Sequence, residues 1–220
     1  MNFHFSKVMA FAVLALTAFA VTASFTDLSA QVYAAIEKKY GKPARVRVHN
    51  WQLIMRELAE NDALSDKQRI VKVNDFFNQV RWLSDIEHWG KEDYWATPLE
   101  TLGTNGGDCE DFSIGKYFTL SETGLDSDKI RITYVKALDY NQAHMVLAYY
   151  SSPGAEPLIL DNINKTIMRA SKRRDLLPIY SFNAESLWLA KSRSKKLKAD
   201  SQKNLPQWRK VNERMLKELN

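Results

Sequence analysis

The feature that most constrains this chain is a change in apolar periodicity near residue 124. Before it, apolar residues recur at helical spacing, as in Ile70, Val73, Phe76, Phe77, Val80 and Leu83. After it, "KIRITYVKAL" and "AHMVLAYYS" (143–151) alternate as half-buried strands do. Helices followed by strands, rather than helices between strands, predict an α+β domain with N-terminal helices packed on an antiparallel sheet. Predicted helices cover "TDLSAQVYAAIEKKYG", capped by Thr26 or Asp27 and ended by Gly41, then 44–60 and 66–83. Another begins at "CEDFSIGKYFTLSETG" and closes at Gly124. "EPLILDNIN" and "LPIYSFNAESLWL" supply further strands, and the last segment is helical with a break at Pro206.

Composition sets the boundaries. A hydrophobic content of 45% and six tryptophans are ample for a packed core. Residues 1–23 read as a signal peptide: Lys7, an apolar run from Val8 to Val21, then the small-residue pattern "VTA". The run is short for a membrane span, which needs ~20 apolar residues. An exported chain is expected, with its main domain over 24–190. From Lys191 to Asn220 ten Lys or Arg stand against three acids, which reads as a basic helical C-terminal tail with a solvated face. No aromatic–basic interleaving marks a nucleic-acid platform, and none is expected as a partner. Trp89, Trp95, Trp188 and Trp208 are either anchors for a partner or, more simply, core.

The stretch "TNGGDCEDFS" (104–113) carries the only cysteine, Cys109, among Asp108, Glu110 and Asp111. One cysteine cannot form an internal disulfide, so it is either inert and buried or kept for reactivity. "NGGD" is turn chemistry, and Asp108 is a good N-cap. Cys109 then sits first in a helix, where the dipole favours a thiolate. The neighbouring negative charges oppose that form. They could instead hold Ca²⁺, which takes 6–8 oxygen ligands. Asp108 and Asp111, three apart, lie on neighbouring faces, and the "TNGG" loop could add an oxygen from Asn105. The twelve-residue loop of an EF-hand is absent. A nucleophilic cysteine also needs a base. Besides His4 in the leader, the chain offers His49, His88 and His144. His144 lies in "AHMVLAYY", on the face of Val146 and Ala148. A hairpin loop centred on 151–154 would set Asp161 directly opposite it; a turn centred on Pro153-Gly154 would shift the partner by two.

Cysteine at a helix start, followed by histidine and aspartate on adjacent strands, is the order of papain-like and transglutaminase-like enzymes. "DYWATPLETLGTNGGDCEDFSIGKYFTL", "AHMVLAYY", "PLILDNIN" and "DLLPIYSFNAESLWL" resemble the bacterial transglutaminase-like cysteine proteinases over roughly residues 30 to 195. The resemblance implies a papain-like core with Cys109 as nucleophile, His144 as base and Asp161 as its orienting partner. It also implies calcium dependence, with Asp108, Glu110 and Asp111 contributing to the ion's site. The substrate implied is the N-terminal region of a large surface adhesin, cut after a di-alanine to release biofilm cells. An inner-membrane cyclic-di-GMP receptor would sequester the protease. Oxyanion donors are expected from the Cys109 backbone N–H and the Trp95 region. Two alternatives remain at this level: acyl transfer to an amine, as in a transglutaminase, and a non-catalytic calcium-binding module.

Overall fold

The computed structural model describes residues 25–184, 186–189 and 200–219. The expected signal peptide lies outside them, as do 191–199 and 220 of the expected tail. The helical half comprises α1 (Ala30–Tyr40), α2 (Lys42–Glu60), α3 (Asp66–Phe77), α4 (Asp85–Trp89), α5 (Pro98–Thr104) and α6 (Cys109–Glu122). Two short parallel strands, β1 (Arg81–Trp82) and β2 (Gly106–Gly107), are interleaved with them. The strand half comprises β3 (Ile130–Ala137), β4 (Gln142–Tyr149), β5 (Leu158–Leu160), β6 (Met168–Arg169), β7 (Leu176–Phe182) and β8 (Leu187–Leu189). Helices α7 (Ser201–Asn204) and α8 (Pro206–Glu218) close the described chain. The second half forms one antiparallel sheet in the order β6-β5-β4-β3-β7-β8. The architecture is the α+β one that the change of period implies.

Local chemistry sets the helix starts. Ser29, Ser65, Ser84 and Thr97 each accept a backbone N–H from the first turn that follows. Ser65–Gln68 and Thr97–Glu100 complete reciprocal capping boxes. The cap of α1 is therefore Ser29, not Thr26 or Asp27. Those two are tied to α2 instead, through Arg56, which donates to the Thr26 carbonyl and the Asp27 carboxylate. Helix α3 also stops earlier than its apolar period suggests, at Phe77 rather than Leu83. Asn78 turns the chain there: its side chain donates to the Asp161 carbonyl at 3.0 Å and accepts from Lys116 at 2.9 Å. Val80 stays buried without being helical, which is why the period misleads.

Helix α6 lies in the main core with Ile114, Tyr117 and Leu120 fully buried. Gly115 lets it approach α3 closely, since a Cβ there would come 2.2 Å from the Phe77 ring. Its other neighbour is the face of β4 that carries Met145, Leu147 and Tyr149. Val146 and Ala148 point the other way, into a smaller apolar cluster with Val135 and Ile159. Helix α8 is part of the main core rather than a tail beside it. Trp208 is fully buried and stacks on Phe118 with ring centroids 5.1 Å apart, while Val211 and Met215 are buried alongside. Arg209, Lys210 and Lys217 of α8 are exposed on its other face, whereas Arg214 is half-buried against Glu100 and the Tyr94 ring. Trp95 and Trp188 are buried too, so core packing accounts for them.

Candidate active site

Cys109 is the first residue of α6, with Asp108 as its N-cap. Helix α6 packs against β4, and the backbone N–H of Met145, the residue after His144, favours the anionic form of the Cys109 sulfur. His144 Nε2 lies 2.8 Å from Asp161 Oδ1, and both side chains are buried. Nδ1 is then the imidazole nitrogen that Asp161 leaves unengaged. Neither other histidine within the described residues takes that place: His88 Nε2 lies 2.9 Å from Thr104 Oγ1, and His49 is exposed on α2 beside Tyr33.

The His144–Asp161 contact does not come from direct cross-strand opposition. The ladder pairs Leu147 with Leu160 and Tyr149 with Leu158, two residues away from the register that would oppose 144 and 161. Strand β5 ends at Leu160, and Asp161 turns the chain by accepting the Ile163 N–H at 3.0 Å. That turn carries the carboxylate diagonally back to His144. Arg173 Nη2 donates to the second oxygen, Oδ2, at 2.7 Å. Burial alone would raise the Asp161 pKa, but the hydrogen bonds and charge of His144, with help from Ile163 and Arg173, hold it well below the usual carboxylate range.

On the other side of Cys109 the acids gather. Carboxylate oxygens of Asp85, Asp108 and Asp111 lie within 4.8 Å of one another, as do those of Asp85, Asp93 and Glu110. Asp111 is fully buried and accepts from the Ala96 N–H at 2.6 Å and the Asp108 N–H at 3.3 Å. Gly107 is required beside it, because a Cβ there would come 2.6 Å from Asp111 Oδ2. Burial first, then the charges of Glu110 and Asp111, push Asp108 up to about 10. Burial likewise pushes Asp85 up to about 6. The thiol of Cys109 stands 3.0 Å from Glu110 Oε2. Burial, followed by the charges of Glu110 and Asp108, raises its pKa well above the ordinary value.

Asp85 Oδ1 and Asp108 Oδ1 are buried without a hydrogen-bond partner. Buried carboxyl oxygens of this kind call for a donor or a cation to satisfy them. An all-oxygen carboxylate set suits a hard divalent cation such as Ca²⁺, and Asp85, Asp93, Asp108, Glu110 and Asp111 are the residues that would hold it. Asn105 caps α5 in the left-handed conformation, and its carbonyl accepts the Arg81 N–H at 3.4 Å, so that oxygen is committed to the join between β1 and β2. Asp85 and Asp93 were not apparent in sequence: one reads as an ordinary first-turn acid, the other as a polar loop residue. Trp95, expected near the oxyanion, serves the acids instead. Its indole N–H donates to Asp93 at 2.9 Å, and the next N–H, of Ala96, goes to Asp111. A cavity of about 450 Å³, lined by Val146, Ala148, Ile159 and Trp188 among others, lies on the far sheet face and includes neither Cys109 nor His144.

A cysteine at a helix start against a strand that bears a buried imidazole–carboxylate pair, on an antiparallel sheet, defines a transglutaminase-like cysteine enzyme. The family model for the bacterial transglutaminase-like cysteine proteinases matches residues 54–215. The chain belongs to that family. Solved structures of Legionella pneumophila LapG are similar along nearly their whole length. The EGTA-treated form is 44% identical with a TM-score of 0.73, covering 84% of this chain and 96% of that one. The calcium-bound form is 42% identical with a TM-score of 0.72, covering 86% and 99%. Among curated proteins no match is found.

Proposed function

We propose that this protein is a calcium-dependent cysteine endopeptidase in which Cys109 attacks, His144 moves the proton and Asp161 orients the imidazole. The observation that carries the reading is the buried 2.8 Å bond between Asp161 and His144 on β4, the strand against which the helix opened by Cys109 packs. The thiol passes its proton to His144 Nδ1 as sulfur bonds to the scissile carbonyl carbon. Asp161, on Nε2, fixes the tautomer and stabilises the imidazolium. The backbone N–H of Cys109, at the first position of α6, donates to the developing oxyanion. His144 returns its proton to the leaving amine, and water then cleaves the acyl-enzyme.

Bound Ca²⁺ would supply positive charge at Asp85, Asp93, Asp108, Glu110 and Asp111 and fix the start of α6. With Glu110 engaged there, its carboxylate no longer accepts from the thiol. The calcium-bound structure of the Legionella protein supports this assignment, as do the partnerless oxygens of Asp85 and Asp108. The leader pattern around Lys7, Val8–Val21 and "VTA" supports export to the periplasm. Family resemblance supports the N-terminal region of a large surface adhesin as substrate, cut after a di-alanine. It equally supports sequestration by an inner-membrane cyclic-di-GMP receptor.

The test is incubation of purified protein with the N-terminal region of a candidate adhesin, with and without a chelator, followed by intact mass. Two fragments that require both calcium and Cys109 are expected. Cleavage by Cys109→Ala would overturn the mechanism, cleavage after complete chelation would overturn the metal dependence, and a joined product would mean acyl transfer instead.

A further inference from the structure

Asp161 opens the loop between β5 and β6, and Arg173 stands in the connection between β6 and β7. Both side chains are buried, and Arg173 Nη2 bridges two carboxylates, Asp161 Oδ2 at 2.7 Å and Asp175 Oδ2 at 2.6 Å. Arg173 Nε also faces Asp175 Oδ1 at 3.0 Å. Asp175 is anchored in turn, its carbonyl accepting the Leu138 N–H from the β3–β4 hairpin at 2.8 Å. The Asp161 main chain is held separately, by Asn78 on its carbonyl. A carboxylate bonded only to an imidazole in a buried site can rotate or take a proton. Here a guanidinium of fixed plane closes the second oxygen, and an acid outside the His144 contact holds that guanidinium in place.

We propose that Arg173 is a positioning residue of the hydrolytic site: it holds the Asp161 carboxylate in a single orientation and thereby fixes the His144 tautomer that presents Nδ1 to Cys109. This rests on the Cys109–His144–Asp161 reading above. Sequence reading placed no role on Arg173, which stands in "SKRRD", an ordinary solvated charge run by pattern. An arginine kept only for folding stability would tolerate replacement by another stabilising contact without change at the imidazole. A positioning arginine would not.

The test uses full-length protein at saturating Ca²⁺ with Arg173→Gln and Arg173→Lys. One readout is kcat and KM on the cleaved peptide. The second is the low-field proton of His144 Nε2–H in protein labelled with ¹⁵N-histidine, assigned by its loss in Asp161→Asn. Arg173→Gln should lower kcat roughly 10–100-fold, the range seen when partners that orient a functional ligand are removed. KM should stay within about twofold, because binding groups are untouched. The Nε2–H signal should broaden through exchange with water. Arg173→Lys should recover part of both, since it restores charge but not the fork. Should Arg173→Gln fail to fold, Asp175→Asn decides: it frees the guanidinium while leaving Asp161 intact, and a fall in kcat at constant KM is expected. Wild-type kcat with an unchanged Nε2–H signal in these variants overturns the proposal. Wild-type protein that cleaves nothing overturns the hydrolytic reading instead, a separate outcome that the imidazole signal distinguishes.

Discussion

Replacing Asp85 by asparagine should stabilise the metal-free protein while weakening its response to calcium. Asp85 is buried at the start of α4, and burial foremost raises its pKa from 3.8 to about 6, with Glu110 and Asp93 adding to it. Its charged form is therefore destabilising, by ~3 kcal/mol if each tenfold change in acidity is worth ~1.4 kcal/mol. The amide introduced by Asp85→Asn keeps an acceptor for the Tyr94 N–H that the carboxylate now binds. At pH 8 the carboxyl is ionised in both folded and unfolded chains, so the penalty is fully present. It shrinks as pH falls through the folded value near 6 and vanishes below the unfolded value near 3.8. Calorimetry in chelator at pH 8 should show Asp85→Asn melting roughly 6–12 °C above wild type, at ~2–4 °C per kcal/mol for a domain of this size. The two melts should converge by about pH 4. With Ca²⁺ the order should reverse, because wild type gains stability from the ion in proportion to its affinity. A variant less stable than wild type in chelator at pH 8 would refute the reasoning, as would a difference that does not change with pH.

Two further outcomes follow from packing. Trp208→Ala empties a fully buried site among Phe118, Tyr117 and Phe182, and should cost about 3–5 kcal/mol, read as a lower urea midpoint. An unchanged midpoint would mean that α8 is not part of the cooperative core. Gly107→Ala pushes a Cβ to 2.6 Å from Asp111 Oδ2, and Asp111 has no room to yield without losing the Ala96 N–H. It should lower Tm by several degrees and weaken calcium binding by roughly tenfold or more, ~1.4 kcal/mol. Wild-type calcium titrations would show that Asp111 is not held by this approach.

The residues whose chemistry is local were legible in the sequence. Cys109 at a helix start follows from "NGGDC", because turn residues and an N-cap acid specify that start without help from the rest of the chain. The antiparallel sheet follows from alternation in 130–137 and 142–149. What escaped depends on non-local contact. Asp85 and Asp93 reach the acid cluster only because α4 and the loop after it fold back on the start of α6. The ladder takes the register centred on Pro153-Gly154, one of the two that alternation allows, and Asp161 meets His144 through an Asp-stabilised turn at the strand end, which alternation alone cannot locate. The C-terminal segment looked like an appendage because charge dominates its composition, while the placing of Trp208, Val211 and Met215 on one face carries its packing.

The acids that first argue against a reactive thiol also set the condition under which it reacts. A Cys109 thiolate 3.0 Å from the Glu110 carboxylate would meet a repulsion of about 5 kcal/mol at an effective dielectric of 20. The helix dipole at the first position of α6 offers at most ~2 kcal/mol in return. The dipole therefore loses, and in the metal-free protein the sulfur stays a thiol that donates to Glu110. The backbone N–H of Met145 favours the anion but is one neutral donor against a full charge. On the proposed mechanism two changes together reverse the balance: Glu110 gives its charge to a cation, and His144 takes the proton and stands as a counter-ion. Glu110 is the neighbour of Cys109 in sequence, and His144 lies on β4, the strand against which α6 packs. Activation is then conditional on the acid cluster being filled, and the imidazole pair alone is insufficient.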